Sequence, residues 1–503
     1  MMPALQKCRR YSCVTRRSRI PGGTVSGFDP NLLAFAGVPT ALHRRRLLGV
    51  AAVSLLASAL PYGREAGAQT PVAQAPFPQP EEYVSENGVL KATLNVTRGP
   101  VTIGDQEVVG TTYNGTYVGP TLRLKPGERL ELTVVNELPE VTNMHFHGLH
   151  VSPSGISDNV FIIIEPGATQ DYVIEIPENH PVGTFWYHSH AHPYTEPQVM
   201  GGLGGLIVVD GLQDLLPADL RQITEYAVVL KDYQAVDGAI LLTNIDSNAP
   251  TTRTVNAAVN PGLSIDAGET QLWRLANLSA DIYYEVQLTG HKLHIIGEDG
   301  NPVWQVKSVD SLPIAPGKRF DLLVQGGEPG TAEFKTLQYD QQGDLYPEAL
   351  LATVTVNPSN LTAAALPVKL VEPNDLNQGV VDVSRTITFS KDQAAGHFVI
   401  DGKMFDENRI DQAVKLGALE EWTIINTNNQ QHPFHIHTND FQVISINDEP
   451  VEAVSLVDTV NLPADGKVTV RIPFRDFTGK FVYHCHILNH ADMGMMATVE
   501  VTE

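Results

Sequence analysis

Beyond about residue 80, the chain is a succession of short runs in which apolar and polar residues alternate, separated by Gly, Pro, Asn and Asp. Arg129-Leu130-Glu131-Leu132-Thr133-Val134 and Leu122-Arg123-Leu124 show the period of two that places every second side chain on one face of a strand. Helical spacing is scarce, and Leu212 to Ile223 fits it best. Short strands at regular intervals with turn residues between them predict an all-β fold.

The pattern also repeats. Gly119-Pro120-Thr121-Leu122 leads through Pro126-Gly127-Glu128 to Asn136, and Asn260-Pro261-Gly262-Leu263 leads through Ala267-Gly268-Glu269 to Asn277. A third copy runs from Ala413 through Leu419-Glu420 to Asn426. A second element recurs in phase, beginning at Gly183, Gly330 and Gly479. Three β-sandwich domains of similar size follow, expected over 69–212, 213–360 and 361–503. Nine residues past each asparagine the copies differ: His145-Phe146-His147, Val286-Gln287-Leu288 and His435-Ile436-His437. The middle copy therefore reads as a spacer, with the chemistry built between the first and last domains.

Residues 1–68 read as an export segment. Arg44-Arg45-Arg46 precedes the apolar run Val50 to Leu60, and Ala66-Gly67-Ala68 fits a signal cleavage site. The paired arginines point to the twin-arginine route, with an ordinary secretory signal as the alternative. Residues 69–80 read as a proline-rich tether. Removing residues 1–68 takes away ten of the 34 basic and two of the 57 acidic residues, leaving 24 against 55, a net charge of −31. Such a charge argues against nucleic acid or an anionic membrane as partner. No later apolar stretch is long enough to span a bilayer. A periplasmic or secreted monomer acting on small molecules is expected.

The composition then changes the picture in one place. Cys485 is the one cysteine beyond the export segment, and it lies in His484-Cys485-His486-Ile487-Leu488-Asn489-His490, with Met495 ten residues on. A lone thiol cannot form an internal disulfide, and exported chains rarely keep one free. A His2Cys set with a distant Met is the ligand list of a blue-copper centre. Four clusters hold ten of the 17 histidines: His145 and His147; His188 and His190; His432, His435 and His437; and His484, His486 and His490. In a strand, i and i+2 share a face, so each His-x-His pair can aim two imidazoles at one metal cluster. In His484-Cys485-His486 the same alternation turns the thiolate away from its neighbours. One such pair alone is more often a structural feature, and His486 with His490 could clamp zinc across a helical turn.

Four clusters in phase with the repeat and missing from the middle copy resemble the four copper motifs of the multicopper oxidase family, of the three-domain laccase-like kind, across essentially the whole mature chain. That resemblance implies three cupredoxin-like Greek-key β-sandwiches and four coppers. It assigns His432, Cys485 and His490, with Met495 axial, to a type 1 copper. It assigns His145 and His435 to a type 2 copper. The binuclear type 3 pair takes His147, His188 and His486 on one copper, and His190, His437 and His484 on the other. Asp158 matches a carboxylate that relays protons in the family, though an aspartate there also caps loops. At the second relay position the chain has Ala491, with Asp492 one residue on.

The resemblance implies oxidation of a small reducing substrate, one electron at a time, at the edge of His490 or His432. Cys485, His484 and His486 then form the link to the site where dioxygen becomes water. The cuprous-oxidase branch carries a Met-rich insertion, whereas this chain has eight Met in all, so phenols and aromatic amines are the expected donors. Metal ions such as Cu(I), Fe(II) or Mn(II), and bilirubin, are the alternatives. A non-catalytic relative of the same fold, such as a division-associated protein, would be expected to lack ligands. His150 and His192 are expected to support the ligands from behind.

Overall fold

The period-two runs become strands. Arg129–Asn136 alternates half-buried and buried side chains, and Leu419–Asn426 does the same, each turning one face to a core and one outward. The middle copy, Thr270–Asn277, is buried at every position. Its outer face is covered from two sides: Leu272 packs with Leu212, Leu216 and Leu220, and Ala276 packs with Trp186 and Leu206.

The computed structural model describes residues 77–503 apart from Asn244. The expected export segment and the first part of the tether lie outside the described residues. Among those described, six sheets of five or six strands and one two-stranded ribbon form three cupredoxin-like Greek-key sandwiches. No helix among them is long and apolar enough to cross a membrane.

One sheet of each sandwich matters most. In the first, the order is Glu82–Val84, Gly119–Leu124, Gly204–Val209, Gly183–His188, His145–His147. In the last, it is Gln412–Lys415, Met496–Thr502, Gly479–Cys485, His432–Ile436, Thr459–Leu462. The histidine motifs thus fall on adjacent strands, and the register sets His145 opposite His188 and His435 opposite His484. The equivalent strands of the middle sandwich pair Val286 with Thr336 and Leu288 with Phe334, and carry no imidazole there.

One expectation is corrected. Leu212 to Ile223 is not one helix but two 3-10 turns, Leu212–Leu215 and Ala218–Leu220, separated by Pro217. Proline removes a donor and clashes with the preceding turn, so the leucine spacing cannot be carried by one helix. Strands Ala235–Val236 and Ala239–Ile240 lie beyond residue 212, yet they extend the sheet of the first sandwich, with Ala239 opposite Val109. Among the described residues, two short α-helices, Thr195–Gly201 and Leu488–Asp492, pack against each other. Leu488–Asp492 turns the chain so that His490 comes back beside Cys485.

Candidate metal centre

The strand alternation separates Cys485 from its neighbours as the spacing requires. The Cys485 Sγ lies 3.4 Å from His432 Nδ1 and 3.7 Å from His490 Nδ1, and the two nitrogens are 3.1 Å apart. Met495 is buried in the same cluster as Cys485. Its N–H donates to the His490 carbonyl and its own carbonyl accepts from the Cys485 N–H. Burial raises the Cys485 thiol well above its ordinary value. Without a cation it therefore stays protonated, and a bound metal is what would make it a thiolate. Phe398 stacks on the His490 ring at 3.8 Å.

On the other side of the strand, the His484 Nε2 is 3.1 Å from His190 Nε2 and 3.2 Å from His437 Nε2. His486 packs beside His147, with ring centroids 4.9 Å apart, and beside His188, at 5.6 Å. The His145 ring lies 5.8 Å from that of His435. All eight of these residues are buried. Groups close enough to share one ion include His190, His437 and His484, and separately His432, Cys485 and His490.

The tautomers are set from outside. His145 Nδ1 meets Asp158 at 2.9 Å, His188 Nδ1 meets the Ser189 carbonyl at 2.8 Å, and His435 Nδ1 meets the Asp458 carbonyl at 2.9 Å. His484 Nδ1 meets the Cys485 carbonyl at 2.9 Å. His147 is turned the other way, with Nε2 3.0 Å from Asp458 Oδ1. The nitrogens left over are buried and without a partner: His145 Nε2, His147 Nδ1, His188 Nε2, His435 Nε2, His437 Nδ1 and both of His486. Burial holds His145, His147, His190, His437, His484 and His486 well below the ordinary imidazole range. It lowers His188 and His432 to about 3. Neutral imidazoles with inward lone pairs are costly to bury together unless a cation satisfies them. The donor set fits copper, which favours imidazole and thiolate ligands.

Asp158 is buried, and burial raises its pKa to about 8 against the pull of the Phe146 N–H. Its Oδ2 has no partner, so it can hold a proton beside His145. Asp492 lies at the packed helices instead, accepting from the Glu196 N–H at 2.8 Å, with His192 3.7 Å away. His192 packs edge-on against Phe405 and makes no hydrogen bond to a ligand histidine. His150 is not behind the ligands: it joins the Thr438 carbonyl, at 2.6 Å, to Asp476, at 2.9 Å. The two candidate electron-entry edges also differ. His432 is fully buried, with Asn428 at its Nε2, so the expectation of an exposed edge there is corrected. His490 retains 9 % exposure, with Gln430 3.2 Å from its Nε2.

No motif or periodic run marks Asp458, Thr459 or Arg319. Asp458 holds His147 and sits 3.4 Å from His435 Nδ1. Arg319, from the middle sandwich, donates to both Asp458 oxygens at 2.9 and 2.6 Å. Asp299, also from the middle sandwich, accepts from the Asp458 and Thr459 N–H groups. Gly148, at φ +86°, keeps this space open, because a Cβ there would lie 2.5 Å from Asp458 Oδ2. At Gly317, also in the middle sandwich, a Cβ would come within 2.9 Å of the His486 ring. The middle sandwich is therefore not a spacer; it forms a wall of the site.

Three family models, each described as multicopper oxidase, match residues 95–213, 207–334 and 376–503. A multicopper oxidase of Staphylococcus haemolyticus is 28% identical over 85% of this chain and 92% of its own length. The cell division protein FtsP of Dickeya dadantii is also 28% identical, over 91% of this chain and 98% of its own. A solved multicopper oxidase from Campylobacter jejuni, described as a metallo-oxidase, superposes with a TM-score of 0.74 at 27% identity, covering 86% of this chain and 98% of that one.

Proposed function

The chain belongs to the multicopper oxidase family, and from that premise we propose that it is a catalytically competent, exported copper oxidase with four coppers. His432, Cys485 and His490 hold the type 1 copper, with Met495 beside it. His145 and His435 hold type 2. His147, His188 and His486, and His190, His437 and His484, hold the type 3 pair. Bound there, copper supplies one-electron acceptance from a donor and the four-electron reduction of dioxygen to water.

The observation that carries this reading is the set of buried, partnerless imidazole nitrogens converging around one buried thiol. A chain that had kept the fold as a structural protein would have no reason to hold so many unsatisfied donors together. That weighs against a role like the one named for the FtsP relative. Around the coppers, the residues have separate tasks. Asp458 orients His147, Asp158 holds a proton next to His145, and Trp186, stacked on His188 at 4.2 Å, excludes water. His490 offers its edge to the donor.

Electron-rich phenols and aromatic amines are the donors we favour, because an outer-sphere route through a histidine edge needs no dedicated metal site. A metal-ion oxidase is the second reading, favoured by the likeness to the Campylobacter jejuni metallo-oxidase. Export is supported by the arginine motif ahead of the apolar run Val50 to Leu60. Oxygen uptake by copper-loaded protein, measured with a methoxyphenol, an aromatic diamine, Fe(II), Cu(I) and Mn(II), separates these readings. Faster turnover of Fe(II) or Cu(I) than of any organic donor would favour the second. Full copper loading without uptake from any donor would sink both.

A further inference from the structure

The hairpin formed by Val383–Asp392 and His397–Ile400 is the edge of a six-stranded sheet in the last sandwich. Asp392 makes its turn: the Oδ1 atom accepts from the Ala394 and Ala395 N–H groups at 2.9 and 3.1 Å. The register that follows sets Lys391 directly opposite Phe398, and Asp392 opposite His397. Residues directly opposite one another share a face of the sheet, so the lysine and the ring lie side by side. Lys391 Nζ stands over the Phe398 ring, 4.7 Å from its centroid. Lys391 is exposed and Phe398 is buried. An apolar stem on a ring with its ammonium in water is the ordinary behaviour of lysine, and packing alone would explain it if the ring did nothing else.

The ring does more. Phe398 is stacked on His490, with centroids 3.8 Å apart, and meets His432 edge-on, at 5.9 Å. One aromatic side chain therefore touches the lysine and both imidazoles beside Cys485. Burial first, and then His432 and Lys391, lower the His490 imidazole. Burial and then Lys391 lower that of His432. The ammonium thus opposes positive charge at both.

The other charges nearby are engaged elsewhere. Among the described residues, no carboxylate pairs with Lys391, and Asp392 is held by its own turn. Gln430, whose Nε2 lies 3.2 Å from His490 Nε2, abuts the turn at Gly343, which carries Asp340 and Asp344. Asp340 accepts from the Gln342 N–H at 2.7 Å, and Asp344 accepts from Asn248 Nδ2 and the Tyr346 hydroxyl. These acids are common to wild type and to every variant below, so a comparison at Lys391 reads the ammonium alone.

Copper held by one thiolate and neutral imidazoles carries one positive charge as Cu(II) and none as Cu(I). A neighbouring cation disfavours the first and not the second. We propose that Lys391 makes the type 1 copper more oxidising by holding a positive charge one aromatic ring away from His490, and so widens the range of donors that can reduce it. The proposal rests on the type 1 assignment above. Lys391 touches no ligand; it positions charge across Phe398.

The test is an anaerobic redox titration of the blue absorption in copper-loaded full-length protein. Lys391→Met keeps the stem on the ring and removes the charge. It is expected to shift the equilibrium about three- to tenfold toward Cu(II), tenfold being about 59 mV for one electron. Lys391→Glu should shift it further in the same direction, and Lys391→Arg should keep the wild-type potential. All three should keep the position of the blue band and the unfolding temperature, because the side chain is exposed. The Lys391→Met shift should shrink in about 1 M salt, where charges are screened over about 3 Å. A lysine that only packs on Phe398 would leave the potential unmoved, or move it equally in the Met and Arg variants. A shift of less than about twofold in Lys391→Met, an equal shift in Lys391→Arg, or a shift unchanged by salt would each overturn the proposal. Protein that never develops a blue band would overturn the type 1 assignment and this proposal with it, whereas a blue band whose potential ignores Lys391 would overturn this proposal alone.

Discussion

Arg319→Met removes the guanidinium that reaches both oxygens of Asp458, from a position with no solvent exposure. Burial alone would raise the Asp458 pKa, but Arg319 and then His147 outweigh it and hold that carboxyl well below the ordinary range. Leaving one partner of a buried ion pair alone typically costs about 3–5 kcal/mol. Part of that cost is relieved if Asp458 takes up a proton. A protonated Asp458 is a weaker acceptor for His147 Nε2–H, so it would hold the tautomer that leaves Nδ1 free for a metal less firmly. Outer partners of metal-bound histidines are commonly worth about 10- to 100-fold in metal affinity. The variant is therefore expected to unfold at lower temperature and to lose copper from the His147 position, while the blue colour from Cys485 persists. Copper analysis, visible absorption and thermal unfolding read this directly. Arg319→Lys should recover part of the loss. Full copper content together with an unchanged unfolding temperature in Arg319→Met would refute the reasoning.

Three further outcomes are expected. His437→Ala should keep the blue absorption and abolish oxygen uptake, whereas His490→Ala should lose the blue absorption; interchanged phenotypes would overturn the ligand assignment but not the family. Copper-free protein should lose stability as pH falls below about 6.5, the ordinary histidine value. There the unfolded chain binds protons that the buried imidazoles, with their lowered pKa values, do not, at about 1.4 kcal/mol per pH unit for each such histidine. Equal denaturant midpoints at pH 5 and pH 7.5 would contradict this. Asp281 is buried, and burial and then Glu196 raise its pKa well above the ordinary value. The folded state thus holds a proton there that the unfolded chain releases above about pH 4, so this group stabilises less as pH rises. Asp281→Asn should stabilise more at pH 8 than at pH 5, and the same change at both would count against the buried pair.

The strands and the clustering of the histidines around Cys485 were legible because their signals are local. Alternation along Arg129–Asn136 and the His-x-His pairs both follow from the two-residue strand period, and the phase of the repeat showed that the middle copy carries no ligand. Leu212, Leu216 and Leu220 show why a pattern can mislead: their spacing is that of a helix face, yet Pro217 breaks it into two turns that still bury the same leucines. The role of Arg319 was not legible. Its partner is 139 residues away in the chain, and neither residue stands in a periodic run that marks it. A loop aspartate and a buried arginine acquire meaning only when sheets from two sandwiches meet. His150 likewise follows a ligand motif in sequence but faces Asp476 across the junction with the last sandwich.

A thiolate copper at Cys485 beside a separate three-copper cluster is tested most directly by counting copper against colour. Wild-type protein loaded with Cu(II) is expected to bind four coppers per chain and to be blue. Cys485→Ser is expected to retain three coppers and lose the absorption in the red. Protein that prefers zinc and stays colourless with Cu(II), or a Cys485→Ser variant as blue as wild type, would contradict the account.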